Sequence, residues 1–298
     1  MNLKRMTMLA AALAAGIAAA QDPGKVLMLT KSVSFQHPVV ERRGEKLGLA
    51  ERTVQELGKE YGFDVEITKD ASTINSDNLK KYGAVFFYTQ GDLTQPGKLD
   101  PGPVMKKEDR PSILEFVKNG GGFVGTHCGG ADTFNHNFWE ENRDGRLVKP
   151  FCEMVGAEFI SHGPQQVARV ETVDKSFPAV AHWPASFALN DEWYAYDGFH
   201  KNMRILMMLQ TEGMKGKDYA RNSYPITWCS EYGKGRVFYT GMGHREDVWE
   251  NPNYRKMVGT AVKWSLKKID GDATPNLKEV LGDEEKGLQR INPPKTRK

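Results

Sequence analysis

Residues 120–134 read GGGFVGTHCGGADTF, an apolar run that passes straight into Gly125-Thr126-His127-Cys128-Gly129. Glycines on both sides of a turn permit a sharp reversal. In strand-to-helix elbows of this kind the middle residue is held out at the carboxyl end of a sheet. Here that residue is His127, an imidazole where a hydrolase elbow would carry a nucleophile, so the turn suits a general acid or base or a metal ligand. An isolated turn of this composition is equally a glycine-rich loop that happens to contain a histidine, and the rest of the chain has to decide.

Working outward, KVLMLT at 25–30, FDVEIT at 63–68, AVFFYT at 84–89 and 121–126 are short apolar runs without helical period. Between them, 41–61 carries Leu47, Ala50, Val54 and Leu57 at helical spacing, and 112–118 reads as a helix. Strands alternating with helices predict an α/β fold, a mostly parallel open sheet with helices on both faces. Past residue 150 the texture changes. QQVARVET (165–172), RILMMLQT (204–211), PITWCSEY (225–232) and GRVFYTG (235–241) read as strands, the last two joined by a tight reversal at Gly233-Lys234-Gly235. Residues 252–268, with Met257, Ala261 and Trp264 on one face and Pro252 in the first turn, form a closing helix. One domain spanning 25–268 is the economical reading. The tail, 269–298, lacks aromatic residues and mixes charges of both signs, which predicts a segment mobile or draped over the domain.

Composition closes off other classes. With 39% hydrophobic and 27% charged residues the chain is an ordinary globular one. Lys and Arg number 41 against 38 Asp and Glu, without the clustered basic excess that a nucleic-acid partner requires. Lys4 and Arg5 precede an apolar run that ends in Ala18, Ala19 and Ala20. This pattern predicts a signal peptide over 1–20, a mature chain beginning near Gln21, and a periplasmic or secreted bacterial protein. The run is too short for a membrane span, so no span is expected once the leader is gone. Three widely spaced cysteines, Cys128, Cys152 and Cys229, allow at most one disulfide and exclude a zinc ribbon. Nothing in the sequence sets the oligomeric state.

Together with TKSVSFQHP (30–38), DEWY (191–194), PITWC (225–229) and GKGRVFYTGMGHREDVWENPNYR (233–255), the elbow stretch resembles the ThuA-like (trehalose utilisation) family over most of 25–266. The resemblance implies a flavodoxin-like sheet related to class I glutamine amidotransferases. Those enzymes hold a cysteine at the elbow with a downstream His-x-Glu. His127 stands at the matching position and no such pair follows, so glutaminase activity is not expected. The family usually has small residues after the elbow histidine, and Cys128 departs from that.

Ligands of open α/β sheets sit outside the carboxyl ends of the strands, where the loops bearing His37, His127 and His244 should converge. His127 and Glu192 are the catalytic candidates. His37, Asp132, His162, Trp193, Tyr194, Trp228 and His244 are candidates for substrate binding, the aromatic faces suiting the C–H faces of a sugar; core packing is the rival reading for them. His37, His127, His162, Glu192 and His244 could also hold a divalent metal such as Zn²⁺, although no close H-x-H or H-E-x-x-H spacing occurs. Asp132 could orient an imidazole or cap a helix. The function expected is an exported enzyme acting on a sugar or glycoside, including an oxidised 3-keto form, by His/Glu acid-base chemistry. The alternative is a carbohydrate-binding or assembly protein on a degenerate amidotransferase fold.

Overall fold

Strands whose two faces both meet helices must be apolar throughout, and the first, third and fourth apolar runs are almost wholly buried. A computed structural model describes residues 24–134, 140–141 and 147–282; the expected signal peptide, 1–20, and residues 283–298 of the tail lie outside the described residues. In chain order the elements are β1 (Lys25–Leu29), α1 (Leu49–Tyr61), β2 (Asp64–Thr68), α2 (Ser76–Leu79), β3 (Ala84–Phe87), α3 (Arg110–Lys118) and β4 (Gly122–Thr126). A small pair, β5 (Glu140–Glu141) and β6 (Leu147–Val148), precedes α4 (Pro150–Val155). There follow β7 (Glu158–His162), β8 (Gln166–Thr172), β9 (Ser186–Asp191), β10 (Tyr194–Asp197), β11 (Arg204–Gln210), β12 (Tyr224–Tyr232) and β13 (Gly235–Thr240). Helices α5 (Glu246–Glu250), α6 (Pro252–Ser265) and α7 (Leu277–Leu281) close the described chain.

Nine strands form one mixed sheet in the order β2-β1-β3-β4-β13-β12-β11-β8-β9. The first five are mutually parallel and the rest are added antiparallel. Helices cover both faces of the parallel half: at Gly122 a side chain would run into Ser265 of α6, while the next residue, Phe123, packs its ring against Phe151 of α4. A separate antiparallel ribbon, β7 with β10, sets Tyr194 opposite His162.

One sequence expectation changes. The first helix begins at Leu49, not Glu41, because Glu51 accepts the Gly48 N–H and pairs with Arg42, fixing the helix start there. The described part of the tail is draped over the sheet. At Ile205 strand β11 has β12 on one side, while its pairing with β8 begins only at Met207. The Asn276 side chain fills that gap, accepting the Ile205 N–H at 2.7 Å and donating to the Ile205 carbonyl at 3.0 Å, and Leu277 is buried beside it.

Asn276→Ala should therefore lower the free energy of unfolding by about 1–3 kcal/mol, the usual cost of stranding buried backbone groups. Urea denaturation with unchanged m-value checks this, and an unaltered midpoint would show that the tail contributes nothing.

Candidate functional site

The parallel pairing of β13 with β4 sets Thr240 beside Thr126, so the loops that leave the two strands start together. His127 opens one of them with φ +50°, a left-handed conformation that L-residues other than Asn, Asp and His seldom adopt. The flanking glycines are required: a Cβ at Gly129 would lie 1.8 Å from the Phe87 carbonyl oxygen, and one at Gly125 would lie 2.4 Å from that of Gly129. The His127 N–H donates to Thr240, and the Tyr239 hydroxyl donates to the His127 carbonyl.

The second loop, 241–245, is held by one buried carboxylate. Asp191, at the end of β9, accepts N–H groups from Gly243 (2.7 Å), His244 (3.1 Å), Arg245 (3.2 Å) and Glu192 (3.0 Å). Burial pushes its carboxyl up to about 7 even though these donors favour the ionised form. Tyr88 and Trp249 both donate to the Gly243 carbonyl, and Tyr254 donates to that of Met242.

These constraints bring His37, His127, His244 and Glu192 together, with one ligand atom from each lying within 4.8 Å of the others. His127 Nδ1 sits 3.1 Å from the Gly241 carbonyl, which can only accept, so this nitrogen carries the proton and Nε2 presents a lone pair. That Nε2 lies 3.2 Å from His244 Nδ1 and 3.5 Å from Glu192 Oε2, and His244 Nδ1 is 3.1 Å from the same oxygen. The other oxygen, Oε1, faces His162 Nδ1 at 3.4 Å. Burial, then the neighbouring His127 and His244, holds His37 well below the ordinary imidazole value, and burial also lowers His127. Burial alone would raise Glu192, but His127 and His244 beside it outweigh that and keep it well below the usual carboxylate range. Cys128 is fully buried with Sγ 3.7 Å from His37 Nδ1, and burial drives its thiol up, so it is no nucleophile at neutral pH.

Glu192 also walls a cavity of about 310 Å³ with His37, His162, Tyr194, Phe35 and Phe159. Asp132 and Gln90 complete it, Gln90 Nε2 donating to Asp132 at 3.1 Å. His127 is fully buried behind this wall, so it touches Glu192 and not the cavity. His162, about half exposed, stands on the cavity side and is not one of the four grouped ligands. Two expectations are corrected. Trp193 and Trp228 are core residues, fully buried, with their ring N–H groups donating to the Gln166 and Val155 carbonyls. The aromatic faces of the cavity come from Phe35, Phe159 and Tyr194. Phe35 sat inside the TKSVSFQHP motif and Asp191 inside DEWY, but nothing in the sequence marked Phe159 or Gln90, and the anchoring role of Asp191 depends on strands distant in the chain.

The sequence profile described as ThuA, trehalose utilisation, matches residues 25–265, and the chain belongs to that family. The family's description implies a carbohydrate-related role. Among solved structures, a ThuA-like protein from Bacteroides uniformis is 22% identical with a TM-score of 0.60, the alignment covering 90% of this chain and all of that one. A second, from Parabacteroides merdae, is 20% identical with a TM-score of 0.57, covering 85% and 94%. Comparison with curated protein sequences finds no match. No helix among the described residues is long and apolar enough to cross a membrane.

A group held neutral when folded but protonated when unfolded makes stability fall as pH drops below its unfolded value, about 6.5 for histidine. His37 should thus contribute roughly 1.4 kcal/mol of lost stability per pH unit below that point. Urea titrations at pH 7 and pH 5 with a chelator present should show a shallower loss in His37→Asn than in wild type; parallel losses would mean that His37 is protonated in the folded chain.

Proposed function

We propose that this chain is an exported carbohydrate-processing enzyme that transfers protons in the cavity walled by His162, Glu192 and Tyr194. One observation carries the reading: Glu192 is shared by two environments, its Oε2 against the buried His127 and His244 and its Oε1 against His162 at the open side. The buried imidazoles keep the carboxylate ionised, and the carboxylate orients His162, the arrangement of a general base held by a charge. Phe35, Phe159 and Tyr194 provide faces for a sugar ring.

A 3-keto glycoside suits this site, because its carbonyl acidifies the neighbouring C–H. His162 would take that proton, the electron pair of the broken C–H bond would form a C=C bond, and the C–O bond to the aglycone would break. The departing oxygen would then recover the proton from the imidazolium, giving an unsaturated ketone and a free alcohol. Export rests on the leader pattern alone.

The convergence of His37, His127, His244 and Glu192 favours a second reading of the buried half. Three neutral imidazoles and a carboxylate suit a divalent cation such as Zn²⁺, and the His127 bond to Gly241 is the outer contact that orients a ligating imidazole. Such an ion would supply positive charge behind Glu192.

Glu192→Gln and His162→Asn should each lower kcat on a 3-keto glucoside by about 10²–10⁴-fold, with Tm shifted by only a few degrees. Full turnover in both variants would sink the proposal. Elemental analysis should find one divalent ion per chain in wild type and none in His127→Ala; turnover that survives exhaustive chelation would remove the ion and leave the proton transfer standing.

A further inference from the structure

The loop 211–223, which joins β11 to β12, is fastened along the ribbon that carries His162. Gln166 accepts the Lys215 N–H at 2.7 Å and donates to the Lys215 carbonyl at 2.9 Å. Ser161 donates to Asp218, and Arg221 donates to the Tyr196 carbonyl at 2.6 Å. Between these ties the Tyr219 side chain is buried against the end of the ribbon.

The register of β7 with β10 ends at His162 opposite Tyr194, and one residue further it would set Gly163 opposite Trp193. A phenol stands there in place of a direct rung: the Tyr219 hydroxyl accepts the Gly163 N–H at 2.9 Å and donates to the Trp193 carbonyl at 2.7 Å. The strands are spread by the width of that oxygen, beside His162 on one side and Glu192 on the other. Gly163 has to be small for the ring to reach this place, since a Cβ would lie 2.6 Å from Tyr219 Cε2. Burial pushes the hydroxyl up to about 12, so it keeps the proton that it donates.

The residue pinned in this way also sets the neighbouring imidazole. His162 Nδ1 lies 3.0 Å from the Gly163 carbonyl and 3.4 Å from Glu192 Oε1. The carbonyl can only accept, and the Glu192 carboxylate is held ionised, so Nδ1 carries the proton and Nε2 the lone pair.

Resting on the reading of His162 as the base, we infer that Tyr219 is a positioning residue: its hydroxyl spaces the strands so that the Gly163 carbonyl and Glu192 together hold His162 protonated at Nδ1, leaving Nε2 to take the substrate proton. The loop 211–223 is then a device for fixing a tautomer, acting through Gly163 rather than on the substrate.

Isotope-edited NMR of the ring nitrogens in histidine-labelled full chain, at about pH 8, reads the tautomer without turnover. Wild type should show His162 protonated at Nδ1 and bare at Nε2, the signals being assigned by their loss in His162→Asn. Tyr219→Phe keeps the ring and removes the hydroxyl. It should move both nitrogens toward a mixture of the two tautomers and speed exchange of the Gly163 amide about tenfold or more. It should also lower kcat on a 3-keto glucoside about tenfold, with KM changed less than about twofold. Tyr224→Phe is the control, because it removes another buried hydroxyl of the same ribbon, one that donates to the Tyr194 carbonyl at 3.0 Å. It should lower Tm comparably and leave the His162 nitrogens and kcat as in wild type. Wild-type nitrogen signals and Gly163 exchange in Tyr219→Phe overturn the positioning role, as does an equal shift of the nitrogens in Tyr224→Phe. Shifted nitrogens with undiminished kcat in Tyr219→Phe overturn His162 as the base and leave the spacing by Tyr219 standing.

Discussion

Four backbone N–H groups point at the Asp191 carboxylate, three from the loop after β13 and one from Glu192. This contact ties the parallel half of the sheet, which carries His127 and His244, to the antiparallel half, which carries Glu192. A buried carboxylate without partners would be costly, and one with four donors is a rigid anchor. Without it, Glu192 and His244 would belong to two loops with no fixed relation. The three aromatic donors on the Met242 and Gly243 carbonyls complete the same loop from behind, so both backbone polarities of the turn are satisfied in a dry environment.

The site built on that anchor is layered. In the inner layer, burial disfavours the charged forms of His37 and His127, and their ring nitrogens face one of His244 and a carboxylate oxygen of Glu192. Such a cluster needs a shared proton or a cation to be stable, which explains why the hydrogen positions matter: the Gly241 carbonyl dictates the His127 tautomer, and the remaining nitrogens follow. In the outer layer, Glu192 presents its second oxygen to His162 and to the cavity. The carboxylate thereby couples a buried electrostatic centre to an open, aromatic cavity.

The elbow shows the same economy of causes. Gly125 and Gly129 are small because backbone oxygens occupy the space a Cβ would need, and His127 accepts a left-handed backbone because the hydrogen bonds to Thr240 and from Tyr239 hold it there. A nucleophile at this apex would be buried against Glu192 rather than offered to a substrate.

Local pattern determined the strands of the parallel half, the closing helix, the Gly233-Lys234 reversal and the elbow, because each is set by spacing within a dozen residues. The family was legible for the same reason, its motifs being contiguous. His37, His127 and His244 were named by their positions at strand ends and Glu192 as a carboxylate to accompany them, and the four do meet. Tertiary structure alone decided which of them face solvent. Trp193 and Trp228 carry the same side chain whether they stack on a sugar or fill a core, and only the strands packed over them settle it. The separation of His127 from His162, one buried and one half exposed on opposite sides of a single carboxylate, comes from pairing β7 with β10 and β4 with β13 across long stretches of chain. Burial is a property of the neighbours a residue acquires on folding, and those neighbours are not written beside it in the sequence.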